Sequence, residues 1–265
     1  MADRLSHHFA FASPIEFVDV PTDTDVRVFV DPSGVRNDKS ALGVKATARL
    51  VAYFTEVLAC RFSPSSADRA RGRNLLDGLH EPNQTRLGYS IAKLNGSAFG
   101  PEHAQALWDE LGTNPVARAA VLTHLEDLPI YMTGVGLDLM SDLVTRVIFS
   151  ELIEFTESQM LVHPDLVRNS VPRDLPVYDA RRSTWGQQSA VLPFAGPLEV
   201  LLVPLKWVHH NLRMNQDAFY NRVATTLVQK EQTSLLKDGT MIRPSKEKVK
   251  FDNPEVRQLN SDKSI

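Results

Sequence analysis

Residues 134–160, GVGLDLMSDLVTRVIFSELIEFTESQM, place the acids Asp138, Asp142, Glu151 and Glu154 along what the apolar spacing predicts to be one long helix. At about 100° per residue, Leu143, Val144, Val147, Ile148, Leu152 and Phe155 share a face, with Glu151 in its middle and Glu154 near its edge. An ionised carboxylate left unpaired in an apolar interior costs several kcal/mol, so Glu151 must be paired, protonated, metal-bound or not fully buried. Read for chemistry, Glu151 and Glu154 are candidate catalytic acids or bases. Read for packing, Glu151 is half of an ion pair with an arginine, or an interface residue. Asp138 and Asp142 fall in the first turns, where carboxylates favour the positive end of the helix dipole. Asp138 or Ser141 could cap the helix, and Asp142 could pair with Arg146 one turn on, worth about 0.3 kcal/mol. Together with Glu151 these two also form a candidate ligand set for a divalent metal, Mg2+ or Mn2+.

A second concentration of polar groups, Glu81-Pro82-Asn83-Gln84-Thr85 followed by Leu87-Gly88-Tyr89-Ser90, has no packing period. Such density on a loop fits either a binding site, with Glu81 as its acid, or a well hydrogen-bonded turn. Lys206 is the candidate contact for a phosphate or a developing negative charge. Arg69, Arg71 and Arg73, with Lys246, Lys248 and Lys250 in the tail, could meet phosphate, although a solvated helix face explains such runs as well. Zinc is not expected, because His209-His210 diverge on helix or strand alike and no H-E-x-x-H or Cys/His cluster occurs. Gly96 and Gly100 lack the lysine and hydroxyl of a phosphate loop, so no nucleotide-binding motif is read. No G-x-S-x-G elbow supports a serine hydrolase.

The elements that must position these groups are mixed. DVRVFVDPSG supplies a strand over 26–30, stopped by the turn Asp31-Pro32-Ser33-Gly34. Helices are predicted over 39–62 and 66–79, with Pro64 between them, and again from Pro101 and from Pro115. Residues 80–100 read as a long irregular connection. Beyond residue 160 the texture turns to β, in PVYDARR, STWGQQSAVLPF and PLEVLLVPLKWV, with a hairpin at Ala195-Gly196-Pro197. The near-continuous apolar run over 198–203 predicts a central strand, and Trp185 and Trp207 flank it as core or as stacking platforms. A last helix is expected over 216–236. The fold class is α+β, helices on a small, mostly antiparallel sheet, as one domain over 1–236 with a polar tail over 237–265 that is mobile or partner-bound.

Glu151 on a helix, followed by β segments carrying Asp179, Glu199 and Lys206, resembles the layout of restriction-endonuclease-like nucleases over about residues 138–207. In that family a helix Glu, a strand Asp and an E-x-K strand bind divalent metal and position an attacking water. This chain departs from the pattern, since Glu199-Val200-Leu201 stands where an acid, a spacer and a lysine would, and Lys206 lies seven residues past Glu199. The blocks VFVDPSG, EPNQTRLGYS, GVGLDLMSDLVTRVI and VLPFAGPLEVLLVP together are similar to uncharacterised bacterial proteins associated with mobile islands and phage defence. That resemblance implies host defence and favours nucleic-acid processing, without identifying a catalytic residue.

Composition narrows the classes further. The 265 residues carry 29 Lys+Arg against 32 Asp+Glu, a formal charge of −3, so any nucleic-acid contact must rest on a local patch. The single cysteine, Cys60, sits in an apolar helical run and has no second cysteine to bridge, which fits a reducing compartment. No basic-then-apolar leader is seen and no run reaches the ~18 apolar residues of a membrane span, so a cytoplasmic, non-membrane protein is expected. The leading expectation is a defence-associated, divalent-metal-dependent nucleic-acid hydrolase or its degenerate relative. The competing one is a non-catalytic interaction or sensor subunit with a protein partner in a multi-protein complex.

Overall fold

In a computed structural model the chain divides into two compact units, Met1–Arg213 and Met214–Ile265. The structure describes residues 3–11, 13–88, 99–132 and 135–210 and, as backbone alone, Ser234–Leu235 and Met241–Ile242. Of the helix expected over 216–236 only Ser234–Leu235 is described, and that pair is strand; the rest of it and nearly all of the tail lie outside the described residues, and the expected boundary near Leu236 falls inside the second unit.

The first unit runs through α1 (Leu5–Phe9), β1 (Phe29–Val30), α2 (Pro32–Asn37), α3 (Ala41–Phe62), α4 (Ser66–Asp77), α5 (Pro101–Thr113), α6 (Pro115–Thr123) and α7 (Leu128–Tyr131). It continues with α8 (Leu137–Val147), α9 (Phe149–Val162), α10 (Asp165–Arg168), β2 (Ser170–Asp179), β3 (Thr184–Ala195), β4 (Leu198–Glu199) and β5 (Val208–His209). The class is α+β, helices around small antiparallel sheets. In the second unit β6 (Ser234–Leu235) pairs antiparallel with β7 (Met241–Ile242).

Local chemistry sets the helix starts. The Ser40 hydroxyl accepts the Gly43 N–H at 3.2 Å to cap α3, and Ser65 accepts the Asp68 N–H at 3.3 Å to cap α4. The Asn114 side chain accepts the N–H groups of Val116 and Ala117 at 2.9 and 3.2 Å, and Pro115 follows it as the first residue of α6. α3 buries Ala46, Leu50, Tyr53, Phe54, Val57 and Cys60 at helical spacing and packs against α4, α5 and α6 as well as α8 and α9. Burial pushes the Cys60 thiol up to about 11, which leaves it a core residue rather than a nucleophile.

β2 and β3 form a long antiparallel hairpin from Ser170↔Pro193 to Asp179↔Thr184, and β3 turns back through Gly196, with φ +68, to pair Phe194 with Glu199. β1 pairs separately with β5, Phe29 opposite His209. Both tryptophans are anchors rather than platforms. The Trp185 indole and the Tyr53 hydroxyl donate to the same Leu75 carbonyl, at 2.9 and 2.8 Å, and the fully buried Trp207 donates to Asp38 at 2.9 Å.

Two expectations are corrected. The long helix is interrupted at Ile148 (φ −92, ψ 18), which separates α8 from α9 although the sequence there holds neither Pro nor Gly. Of the run over 198–203, residues 199–203 are buried as expected and Leu198 is 42% exposed, and only Leu198–Glu199 is strand. Its other backbone groups are satisfied by unlike partners: Leu201 N–H by the Gln84 carbonyl (2.9 Å), Leu202 N–H by the Thr156 hydroxyl (2.9 Å), and Val203 O by the Val18 N–H (2.9 Å). A central segment can thus be covered on both sides without a ladder.

Candidate functional site

Three segments bring Glu81, Asp138 and Asp142 within electrostatic range of one another and of Asp25. The Val26 N–H donates to Arg86 O at 2.9 Å and the Gly88 N–H to Val26 O at 3.0 Å, a bridge that ties residues 25–26 to the loop after Glu81. Arg86, at φ +53, is buried, and its guanidinium donates to the carbonyls of Pro21 (3.1 Å), Ala195 and Leu198 (3.0 Å), so the loop is pinned to the β3–β4 turn. Gly88 has φ +130, and a Cβ there would meet Asp138 Oδ1 at 2.8 Å. Only glycine combines that backbone with so close an approach to the first turn of α8.

Asp142 decides what this cluster can do. It is 6% exposed and has no hydrogen-bond or ion-pair partner among the described residues. Arg146, the partner expected one turn on, instead places its guanidinium over the rings of Phe149 (5.0 Å) and Trp185 (5.5 Å). Burial first, then the charges of Asp138, Glu81 and Asp25, push the Asp142 carboxyl up to about 8. Glu81, though its side chain reaches the surface, is raised by partial desolvation and then by Asp138 and Asp25. Asp25 is raised by desolvation, opposed in part by Arg86. Among the described residues no three His, Cys, Asp or Glu side chains stand close enough to hold a metal ion as they are. The charges of Asp138, Glu81 and Asp25, added to burial, favour the protonated form of Asp142.

Glu151 does not join this set. The turn at Ile148 aims it at α3, where it is fully buried and accepts from Arg49 Nε at 2.6 Å, while the same guanidinium donates to Tyr178 O at 2.7 Å. Burial raises the Glu151 carboxyl, and the Arg49 charge and hydrogen bond oppose that rise. The ion-pair alternative therefore holds, and the metal-ligand expectation for Glu151 loses its geometry. Glu154 is exposed and paired with Lys45. Lys206 is exposed with its Nζ 3.0 Å from Asp38 Oδ1. Burial alone would raise Asp38, but the N–H and hydroxyl of Ser40, with Lys206 and Trp207, bring it down to about 2.

The nuclease-like layout is not assembled either. Asp179 accepts the backbone N–H groups of Arg181 (2.9 Å) and Arg182 (3.3 Å), and Glu199 accepts from Gln84 (3.3 Å) and Arg173 (3.4 Å). Each acid is thus engaged by a partner of its own. The arginine cluster is likewise used locally. Arg71 pairs with Glu56, Arg69 donates to Ser63 O (2.7 Å) and Pro64 O (2.9 Å), and Arg73 lies over Trp108 at 5.5 Å. Ser141 does not cap α8. Its hydroxyl accepts the Val30 N–H at 2.9 Å and fixes β1.

Asp25, which belongs to the acid cluster, and Asp31, which does not, were not singled out as chemical groups by residue type. Asp25 lies in PTDTDV, which has no period, and the one signal it offers is the local density of acids ahead of the first strand. Asp31, fully buried, stands 3.2 Å from His209 Nδ1 where β1 and β5 end, and no spacing rule links residues so far apart in the chain.

No helix among the described residues is long and apolar enough to cross a membrane. Comparison with curated proteins and with solved structures finds no match. The model of DUF8370, a domain of unknown function, matches residues 11–215, a span that takes in Asp25, Glu81, Asp138 and Asp142 and most of the first unit; the chain belongs to that family.

Proposed function

We propose that this chain is a divalent-cation-dependent hydrolase of phosphodiester bonds in nucleic acid, cytoplasmic and acting in bacterial host defence, with Asp25, Glu81, Asp138 and Asp142 as its working acids. The supporting observation is Asp142, buried with no hydrogen-bond or ion-pair partner among the described residues and within electrostatic range of three other carboxylates. Packing alone gives no reason to retain such a group, because its desolvation is uncompensated. Asp142, with the neighbouring Asp25, Glu81 and Asp138, would hold a bound Mg2+ or Mn2+ in place of the Asp142 proton, and the ion would supply the missing counter-charge. A bound cation would lower the pKa of water and neutralise charge on a phosphate. The choice of nucleic acid and of defence rests on the sequence blocks that resemble mobile-island and phage-defence proteins. Incubated with single- and double-stranded DNA and RNA in Mn2+, the protein should cleave at least one of them, and a chelator should stop it. Asp138→Asn and Asp142→Asn should each slow cleavage by about 100-fold, the scale of removing one electrostatic contributor. No cleavage in any lane, or equal rates in the variants, would contradict this reading.

The second reading, an interaction subunit, is favoured by Leu161, Val162 and Val167, which are 85%, 60% and 50% exposed at the end of α9 and on α10. An exposed apolar group of this kind marks surfaces that dock a protein partner. Leu161→Glu should abolish co-purification with the product of the neighbouring gene at unchanged Tm. Undiminished co-purification would remove this surface from the account.

A further inference from the structure

The 22-residue helix α3 turns a nearly uncharged face to water. A surface helix ordinarily carries its charged side chains opposite the stripe it buries. On α3 the exposed positions are alanine, valine, threonine and phenylalanine, and Lys45 is the single charged residue among them. Val44, Val51 and Phe62 are 57%, 39% and 56% exposed. Apolar side chains bared in one continuous row mark a surface that meets another chain.

The row has a period. Val44, Ala48, Val51, Thr55, Leu58 and Phe62 recur at alternating steps of four and three residues, the a and d positions of a heptad, over about 27 Å of helix. Leu58 is half-buried and the other five are exposed. Such a row is the seam along which two helices pack, each side chain entering a hole on the facing helix.

The same row selects its occupant, because reversed end to end it matches itself. About a two-fold axis level with Tyr53, Val44 lies opposite Phe62, Ala48 opposite Leu58 and Val51 opposite Thr55, as an isologous contact requires. Each layer then joins a larger side chain to a smaller one, or two of equal size. A parallel pair would set Ala48 against Ala48, leaving a void, and crowd Phe62 against Phe62. Charge favours the same order. α9 runs antiparallel to α3, since Glu151 pairs with Arg49 and Glu154 with Lys45, so the exposed Glu154 and Glu157 stand toward the Val44 end. At the other end the guanidinium groups of Arg61 and Arg118 lie over the Phe62 ring at 5.9 and 5.2 Å. Antiparallel pairing brings the acidic end of each copy to the basic end of the other and opposes the two helix dipoles, whereas parallel pairing gathers four guanidinium groups.

We propose that the chain forms a homodimer through this row, α3 packed antiparallel on α3 of a second copy. A seam of this length covers on the order of 1,000 Å2 in total, the lower end for a specific interface, so the dimer assembles at micromolar concentration.

Sedimentation equilibrium of the full chain from about 1 to about 200 µM tests this, with the mean mass rising from monomer to dimer across that range. Val51→Glu sets two carboxylates beside the two-fold axis and should raise the half-assembly concentration at least about 30-fold. Its Tm in dilute solution should stay within about 2 °C of wild type, because the position is exposed in the monomer. A mixture of Val44→Cys and Phe62→Cys proteins should form disulfide-linked dimers on mild oxidation, while neither variant does so alone. A wild type that stays monomeric at 200 µM would mean that the row meets a different chain, and would overturn the proposal. So would assembly of Val51→Glu at wild-type concentration, or cross-linking of either cysteine variant by itself, which a parallel pair would give. None of these readouts depends on nucleic-acid cleavage or on the Leu161 surface.

Discussion

Arg49→Met should destabilise the protein by about 3–5 kcal/mol, seen as a fall of about 6–20 °C in Tm. The reason is asymmetric. Glu151 is fully enclosed, Arg49 is its one ion-pair partner among the described residues, and Glu151 Oε2 already has no hydrogen-bond partner among them. Removing the guanidinium leaves a carboxyl in an apolar interior that must either ionise unpaired or take up a proton. It also frees the Tyr178 carbonyl, which now accepts from Arg49 at 2.7 Å, so α3, α9 and β2 lose a common tie. Removing both charges is a different experiment. A double Arg49→Met, Glu151→Leu variant should recover most of the loss, since a buried ion pair often does no better than apolar residues of similar volume. Chemical denaturation of the single and double variants measures both terms. A single variant within about 1 kcal/mol of wild type would show that Arg49 and Glu151 are not a buried pair.

The second large effect concerns pH. The Asp142 carboxyl titrates at about 8 in the folded protein, against about 3.9 for an unfolded Asp. Between those values the native state keeps a proton that the unfolded state has lost, so unfolding releases it. The contribution is fully present below about pH 4, declines as pH rises, and is gone above about 8, with a slope of at most about 1.4 kcal/mol per pH unit. Asparagine resembles the protonated acid in shape and does not titrate. Asp142→Asn should therefore melt within about 2 °C of wild type at pH 4 and about 5 °C or more above it at pH 9. Some slope should persist, because Glu81 and Asp25 are shifted in the same direction. Parallel melting profiles for the two proteins would mean that Asp142 is ionised, or paired, throughout.

Where local chemistry decides, residue spacing was enough. The starts expected at 39, 66, Pro101 and Pro115 fall within two residues of those of α3, α4, α5 and α6, although the caps Ser40, Ser65 and Asn114 were not named, and the β3–β4 turn follows from Gly196. Where distant segments decide, it was not. Nothing between Val147 and Phe149 marks a helix end, yet the turn at Ile148 sends Glu151 toward Arg49 and leaves Asp142 with the loop after Glu81. Periodicity singled out Glu151 as the charge needing a reason, and the reason is Arg49, a residue on α3 that helix phase could not name. Asp142 had seemed explained by Arg146, one turn away, but Phe149 and Trp185 compete for that guanidinium and win it. The acid with an easy local partner is thus the one left unpaired among the described residues.

The central claim is that Asp142 keeps a proton which a cation displaces, and calorimetric titration with Mn2+ at pH 7 in two buffers of different ionisation enthalpy reads that exchange. The wild type should release close to one proton per bound cation, about 0.9 for a group titrating at about 8. Asp142→Asn should bind more weakly and release almost none. No Mn2+ binding by the wild type, or the same proton release from Asp142→Asn, would contradict the account.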